Sequence, residues 1–337
     1  MTVTLRDVAR AAQVHPGTAS KALNEATRSQ VASATAQRVL AAAERLGYQP
    51  NTLARGLRTR RSYAVGVVLP DLTNPLFPPI VRGAEQALAA AGYITLIVDT
   101  DNDPAVEERL MTMLRARRAD GYLIATARRE HPLVEQAAAD GLPMVLVNRV
   151  TEVALVPAVA GDEVAGVASA IEHLVSLGHR RIGHLAGPQD LSTGFGRYQA
   201  FLAAGRRFGL AAADCPVTFA DAYSEPAGVQ AARQMLSQPA RPTAIVAGND
   251  LIAIGCLDVL AEMGLRCPSD VSVIGFNDMP MLARLDPPLT TVQLPQQEIG
   301  AEAARLLLES IASPGGPAKR LLLPCRLVIR ASTAAPA

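Results

Sequence analysis

From Tyr63 onward, short apolar runs alternate with amphipathic stretches, and this alternation constrains the fold more tightly than any other feature of the chain. The runs AVGVVLP, YITLIVD, GYLIAT and PMVLVN are separated by helical patterns over 79–91, 104–117 and 132–139. After Asp162 and a helix to Leu177 the cycle restarts. Here RIGHLAG, PVTFA, TAIVAG and VSVIGF are separated by helical patterns over 194–208, 226–237 and 251–263. Runs this short and this uniformly apolar suit strands buried between layers of helices. Two successive series of β-α units predict two doubly wound parallel sheets, each with helices on both faces.

In such sheets ligands bind beyond the carboxyl ends of the strands. Polar residues collect at those ends: Asp71 and Asn74 with Phe77, Thr126 with Arg128 and Arg129, Asn148-Arg149, Asp162, Thr193 with Arg197, Tyr223, Asn249-Asp250 and Asn277-Asp278. Taken singly, Asp and Asn at strand-to-helix junctions serve as helix caps, and Asp162 and Asp250 are expected in that role. Their recurrence at nearly every junction, with arginines and aromatics among them, points to a polar small-molecule cleft between two facing sheets.

The first sixty residues follow a different rule. Thr4 to Asn24, TLRDVARAAQVHPGTASKALN, reads as two short amphipathic helices joined by a tight turn. Thr4 and Asp7 form a capping box that starts the first helix, whose buried face carries Leu5, Val8, Ala9 and Ala12. Pro16 begins the second, because its missing N–H is harmless at a first helical position. That helix turns Ala19, Ala22 and Leu23 inward and Thr18, Ser20, Lys21 and Asn24 outward. A third helix over about 34–46, with an inward stripe of Val39, Leu40, Ala43 and Leu46, closes a small core. Such a pair of helices lays its exposed polar face in the DNA major groove.

Charge supports a polyanion partner. Residues 1–61 hold ten Lys/Arg against three acids, whereas the remainder holds 22 against 28, so the near-neutral total of +1 conceals a basic head on an acidic body. The linker then stands out. Pro50 holds Gln49 out of a helix, Asn51 is a good N-cap, and residues 52–58 can form about two helical turns. A helix that short is marginal alone and Gly56 weakens it, so the segment is read either as a plain linker or as one that folds on DNA and pushes Leu57 into a minor-groove step.

Other classes are disfavoured. No apolar run approaches the ~20 residues of a membrane helix, and no signal peptide is recognisable, which argues for the cytoplasm and against a periplasmic solute-binding protein, the main alternative. Cys215, Cys256, Cys267 and Cys325 lack C-x-x-C spacing and read as buried thiols. The sequence carries no phosphate-loop, zinc-protease or nucleophile-elbow signature, so an enzyme with an appended DNA-binding head is disfavoured and no cofactor is expected. Gly194-Phe195-Gly196 is too little for a nucleotide site, and His179 reads as a structural turn residue.

Over essentially its full length the chain resembles the lactose-repressor (LacI/GalR-type) family of bacterial transcription regulators. The likeness rests on TLRDVARAAQV with TASKALN, YQPNTLARGL, LGHRRIGHLAGP, PTAIVAGNDLIAIG, DVSVIGFNDMP and PPLTTVQLP. The resemblance implies a small all-α helix-turn-helix head (1–49), a hinge helix and linker (50–61), and an effector-binding core (62–337) like periplasmic binding proteins. One subdomain of that core would span about 62–160 and 291–323, the other about 161–290 and 324–331, with crossovers near Gly161, Leu289 and Leu323 and a last helix over 296–310.

Carried onto this sequence, the family's DNA-contacting positions are His15, Pro16, Gly17, Thr18, Ser20, Lys21 and Asn24. Thr4, Asn51, Ala54 and the wedge Leu57 join them. Pro16 and Gly17 depart from the family's larger polar residues, which shifts base reading toward His15, Lys21 and the hinge. Effector contacts map onto Phe77, Asn148, Arg149, Thr193, Arg197, Tyr223, Asn249 and Asn277. Asn148 and Asn277 stand where relatives often carry Asp, so with Arg149 and Arg197 retained the expected effector is a sugar, a sugar acid or another organic acid. After a strand over 326–330 the chain ends in ASTAAPA, without leucine heptads, so a homodimer on a pseudo-palindromic double-stranded operator is expected, with no membrane partner.

Overall fold

The computed structural model describes residues 3–48 and 61–336. The chain divides into two compact units between Ser62 and Tyr63.

In the first unit, α1 (Leu5–Ala11) starts at the expected capping box: the Asp7 backbone N–H donates to Thr4 Oγ1, and the Thr4 N–H donates to Asp7 Oδ2 at 3.0 Å. The turn passes through Gln13 at φ 54° and leads into α2 (Pro16–Leu23). Here the cap is His15, whose Nδ1 accepts the Gly17 N–H at 3.1 Å. The helix ends at Leu23, so Asn24 is an extended residue after it rather than part of its outward face. A short α3 (Glu25–Arg28), absent from the sequence reading, precedes α4 (Ser33–Leu46). Gly47, at φ 64°, closes α4 in the left-handed conformation that an L side chain resists, and Tyr48 N–H then reaches back to Ala43 O. The core is built of small residues, with Val8, Ala9, Ala12, Ala19, Ala22, Ala36, Val39, Ala42 and Ala43 buried. Ala36 and Ala42 take the place expected of Leu40, which is only partly buried.

The second unit holds two six-stranded sheets. The first comprises β1 (Ala64–Leu69), β2 (Ile94–Asp99), β3 (Gly121–Ile124), β4 (Met144–Val147), β5 (Ala158–Gly161) and β11 (Arg320–Leu323), in the order β11-β5-β4-β3-β1-β2 and parallel throughout. The second comprises β6 (Ile182–Ala186), β7 (Val217–Phe219), β8 (Ala244–Ala247), β9 (Ser272–Asn277), β10 (Thr290–Gln293) and β12 (Arg326–Val328), in the order β12-β10-β9-β8-β6-β7. It is not wholly parallel: β12 runs antiparallel to β10 at its edge. Position for position the two sheets repeat one plan, so β4 matches β9 and β3 matches β8.

The helices of the first sheet are α5 (Phe77–Ala90), α6 (Pro104–Ala116), α7 (Pro132–Ala139) and α12 (Gln296–Ala312). Those of the second are α8 (Glu163–Ser176), α9 (Ser192–Arg207), α10 (Glu225–Leu236) and α11 (Asp250–Glu262). The chain passes between sheets after Gly161, after Gln293 and between Leu323 and Arg326. The second passage corrects the one placed near Leu289 and the subdomain boundary at 290/291, because Thr290 to Gln293 pair with β9 inside the second sheet. The terminal residues are built in as well. Ser332 is fully buried and bonds the backbone of Val273 and Thr290, and His179 joins Thr243 Oγ1 to Ala334 O, each at 2.8 Å. The four cysteines are free, with Cys267 and Cys325 only partly buried. Among the described residues no helix is long and apolar enough to cross a membrane.

The tightest packing in the first subdomain is α5 on α12. A Cβ added to Gly300 would sit 1.8 Å from Ile80 O, and one added to Gly83 would sit 1.9 Å from Gln297 O, so each glycine lets backbone meet backbone. Gly300→Ala is therefore expected to force the helices apart and destabilise the core by at least ~1–3 kcal/mol in denaturant titrations. Gly316→Ala, with nothing within 4 Å of the new methyl, should be near neutral; equal effects at the two sites would refute the packing argument.

Candidate functional site

Two surfaces can carry function. In the head, His15, Gly17 and Lys21 are exposed, and Pro16, Thr18 and Ser20 are partly so, along the start and outer face of α2. Thr4 is exposed, but its hydroxyl and N–H are both turned to Asp7. Because His15 Nδ1 is engaged in capping α2, only its Nε2 edge can meet a base or phosphate. Asn51, Ala54 and Leu57 lie outside the described residues.

In the core, the eight effector candidates come together. Phe77, Asn148, Arg149, Thr193, Arg197, Tyr223, Asn249 and Asn277 line one small chamber with Asn74 and Leu76, at the carboxyl ends of both sheets. The chamber measures about 10 Å³, room for about one water. It adjoins a larger one of about 250 Å³, with Asn74, Phe77, Arg149 and Tyr223 lining both.

Local folding explains several of these residues. Asn148 follows β4 at φ 64°, a left-handed backbone that Asn tolerates better than most residues, and Asn277 ends β9, the matching strand of the other sheet, at φ 120°. Both side chains are buried, and neither amide oxygen has a partner among the described residues. Asn249, rather than Asp250, caps α11, its Oδ1 accepting the Ile252 N–H at 2.9 Å; only its amide group remains for a ligand. Asp162 does cap α8, by accepting from Ala165 N–H. Tyr223 donates its hydroxyl to Thr193 Oγ1 at 3.1 Å.

The two arginines differ sharply. Arg197 is 2% exposed and committed: its Nε and Nη2 donate to Glu163 Oε1 at 2.9 and 2.6 Å, its Nη1 donates to Gly248 O at 2.6 Å, and its plane lies 3.8 Å over the Phe276 ring. Burial, the largest influence, would lower its pKa, but the charge and hydrogen bonds of Glu163 together with smaller contributions from Tyr223 and Cys325 hold it above the ordinary value. Burial pushes the Glu163 carboxyl up, with Arg197 pulling it back, and the short contacts make this an ion pair. The expectation that both arginines stand ready for an anion is therefore corrected. Arg149 is 7% exposed, its guanidinium has no partner among the described residues, and burial pulls its pKa down to about 10.

Contacts also cross the cleft directly. The Arg129 backbone N–H donates to Asp190 O at 2.9 Å and its guanidinium lies 3.8 Å over Phe195, while Val150 N–H donates to Ser192 Oγ at 2.9 Å. On the crossover side, Gln296 Nε2 donates to Asn277 O at 2.8 Å, linking α12 to the end of β9.

Glu107, Glu163 and Gln296 are not among the sequence-derived candidates, and Asp250, expected as a helix cap, has a different role. Glu163 follows Asp162 at a helix start and gave no sign of a partner 34 residues away. Asp250 is fully buried, accepting from Thr291 Oγ1 at 2.6 Å and Met279 N–H at 2.9 Å, and burial pushes its carboxyl up to about 7. Unfolded, an Asp titrates near ~3.9, so between those values the folded chain holds the extra proton. The contribution of Asp250 to folding is thus fully present below about pH 4 and is lost as pH rises through about 7. Relative to Asp250→Asn, the wild-type chain should gain about 2 kcal/mol of stability between about pH 8 and about pH 5 in urea titrations. A difference independent of pH would contradict the shifted titration.

With this geometry in hand, comparison with known proteins is specific. Residues 4–51 match the family model of bacterial regulatory proteins, lacI family, and residues 171–333 match that of the periplasmic binding protein-like domain. The transcriptional repressor CytR of Escherichia coli (strain K12) is 33% identical over 332 residues, covering 98% of this chain and 96% of that protein. The ribose operon repressor of Halalkalibacterium halodurans is 31% identical, with 98% and 97% covered. Among solved structures, the lac repressor dimer bound to operator and an anti-inducer aligns with TM-score 0.85 at 27% identity, covering 99% of this chain and 100% of that one. The regulator CelR in complex with cellobiose aligns with TM-score 0.75 at 31% identity, covering 98% and 99%. The helix-turn-helix head, the paired sheets and full-length relatives of this identity agree: the chain belongs to the lacI family of bacterial regulatory proteins.

Proposed function

We propose that this chain is an effector-controlled repressor of a catabolic operon, acting in the cytoplasm as a homodimer on a pseudo-palindromic operator. The observation that carries the reading is the joining, in one chain, of a basic helix-turn-helix head to a two-sheet cleft on which eight polar and aromatic candidates converge. CytR and the ribose operon repressor, which match over nearly the whole chain, are repressors, and two of the solved relatives hold operator DNA with an anti-inducer and cellobiose, respectively. A periplasmic solute-binding protein would have no use for the head. Residues 1–49 form the DNA-reading part and 50–61 the hinge, with the remainder as the effector core.

Each head of the dimer takes one operator half-site. Lys21 and the Nε2 edge of His15 are the polar reach of α2, since Pro16 and Gly17 offer no side-chain donor. Thr18, Ser20 and Asn24 position the head on the DNA backbone, whereas Thr4, whose hydroxyl and N–H are both given to Asp7, serves by starting α1. Affinity then depends on the hinge, where Asn51 starts a helix, Ala54 lets two copies approach, and Leu57 wedges the minor groove. A marginal hinge helix responds to a coupling of only ~1–3 kcal/mol, so a change in the cleft that alters the spacing of paired hinges decides whether the head binds.

Leu57→Ala is expected to weaken operator binding with effector affinity unchanged; unaltered operator affinity in an anisotropy titration contradicts the wedge. Lys21→Ala separates two roles. If Lys21 reads a base, preference among operator variants relaxes, and if it meets a phosphate, all sequences weaken alike and the salt slope falls by roughly one unit. No change of either kind would remove Lys21 from the interface.

A further inference from the structure

We propose that the effector of this cleft is a hydroxylated monoanion, with its one acid group on Arg149 and its hydroxyls on Asn148, Asn277 and Glu107. The inference rests on the reading of the cleft as the effector site, and it adds the chemical class and one residue, Glu107, to that reading.

Three charged side chains are buried around the two chambers, and their states differ. Arg197 is neutralised by Glu163. Glu107, 6% exposed, is held as an acceptor: the Thr126 hydroxyl donates to its Oε1, and His131 Nε2 stands 3.5 Å from the same oxygen. The Arg128 backbone N–H donates to His131 Nδ1 at 3.2 Å, so a neutral His131 ring carries its proton on Nε2, toward Glu107. Both recorded contacts of Glu107 use Oε1, and its side chain lines the larger chamber. Arg149 alone has no counterion, and it lines both chambers, at their junction.

A buried guanidinium without a partner is unfavourable unless a ligand completes it, and its planar fork fits a carboxylate or phosphate. Unpartnered buried carbonyl oxygens call for donors, which hydroxyls supply and acid groups do not. Asn148 Oδ1 and Asn277 Oδ1 are such acceptors, so the ligand must bring hydroxyls as well as one acid. The acid must be single-charged because the larger chamber, which Arg149 lines, is already lined by Asp71, Glu107, Asp190 and Asp221, with Arg128 as its other cation. A second negative charge in the larger chamber would meet Glu107. Phe77 and Tyr223, shared by both chambers, offer faces to the carbon skeleton.

The test is calorimetric titration and thermal unfolding of the full-length protein with gluconate, glucuronate, glucose and a hexose monophosphate. The hydroxylated acids are expected to bind and raise the unfolding midpoint, while glucose does not. Arg149→Met should weaken the acids by about ten- to hundredfold, and Arg149→Lys, which keeps the charge but not the fork, by less. Glu107→Gln should retain the acids and admit the phosphate. Glucose binding as tightly as the acids overturns the proposal. So does acid binding that survives unchanged in Arg149→Met, or a panel in which neither acid binds. A neutral sugar that binds and is lost in Asn277→Ala would remove the acid class and leave the cleft as effector site. Ligand binding indifferent to both Arg149→Met and Asn277→Ala would remove the cleft reading itself.

Discussion

The second subdomain is tied together at Arg197. One guanidinium on α9 meets Glu163 at the start of α8, the Gly248 carbonyl after β8, and the face of Phe276 in β9. A charge taken this far from water is tolerable only when every direction around it is answered, and here ion pair, carbonyl and ring answer it. The same closure sets the chemistry of the cleft. Arg197 lines the inner chamber but brings no net charge to it, which leaves Arg149, across the cleft on the first sheet, as the buried cation without a counterion.

The two subdomains meet through contacts of different kinds. The covalent crossovers follow Gly161, Gln293 and Leu323, and Gln296 adds a hydrogen bond from α12 to the Asn277 carbonyl beside them. Arg129 on Phe195, Arg129 on Asp190 and Val150 on Ser192 are noncovalent, and they join the segments after β3 and β4 to the start of α9 and the loop before it. With these made, the inner chamber is about 10 Å³, too small for a sugar. A ligand must therefore sit chiefly in the larger chamber or alter the cross-cleft contacts. A ligand that enlarges the inner chamber therefore shifts the two subdomains against each other, which is the kind of linkage that control by an effector requires.

Much of this was legible in the sequence, for physical reasons. The central strands β1, β3, β4, β8 and β9 are fully buried apolar runs, and the capping box at Thr4, Pro16 and Pro104 mark helix starts by chemistry that depends on neighbours only. The cleft was legible because strand ends converge in doubly wound sheets, and the family resemblance narrowed its lining to eight residues. What escaped was long-range or atypical. β10 buries Thr290 and Thr291, whose hydroxyls find partners in Thr333 and Asp250, so its polarity concealed a core strand and displaced the second crossover. β11 is a short edge strand that begins on a charged residue, whereas the strand expected over 326–330 is present as β12, ending at Val328. Asn249 and Asp250 could exchange roles because both cap well, and only the positions of Thr291 and Met279 decide which is buried. The pairing of Glu163 with Arg197 left no local trace, and it reversed the meaning of an arginine.

The Glu163–Arg197 ion pair governs both the packing of the second subdomain and the charge of the cleft. The direct measurement is a double-mutant cycle in denaturant titrations of the full-length protein with Arg197→Met, Glu163→Leu and both together. Each single variant leaves a buried charge uncompensated and should lose ~3–5 kcal/mol, while the double variant should recover most of that loss. Losses that simply add would mean that the two side chains do not act as a pair, and would contradict the account of a self-neutralised Arg197 beside an unpartnered Arg149.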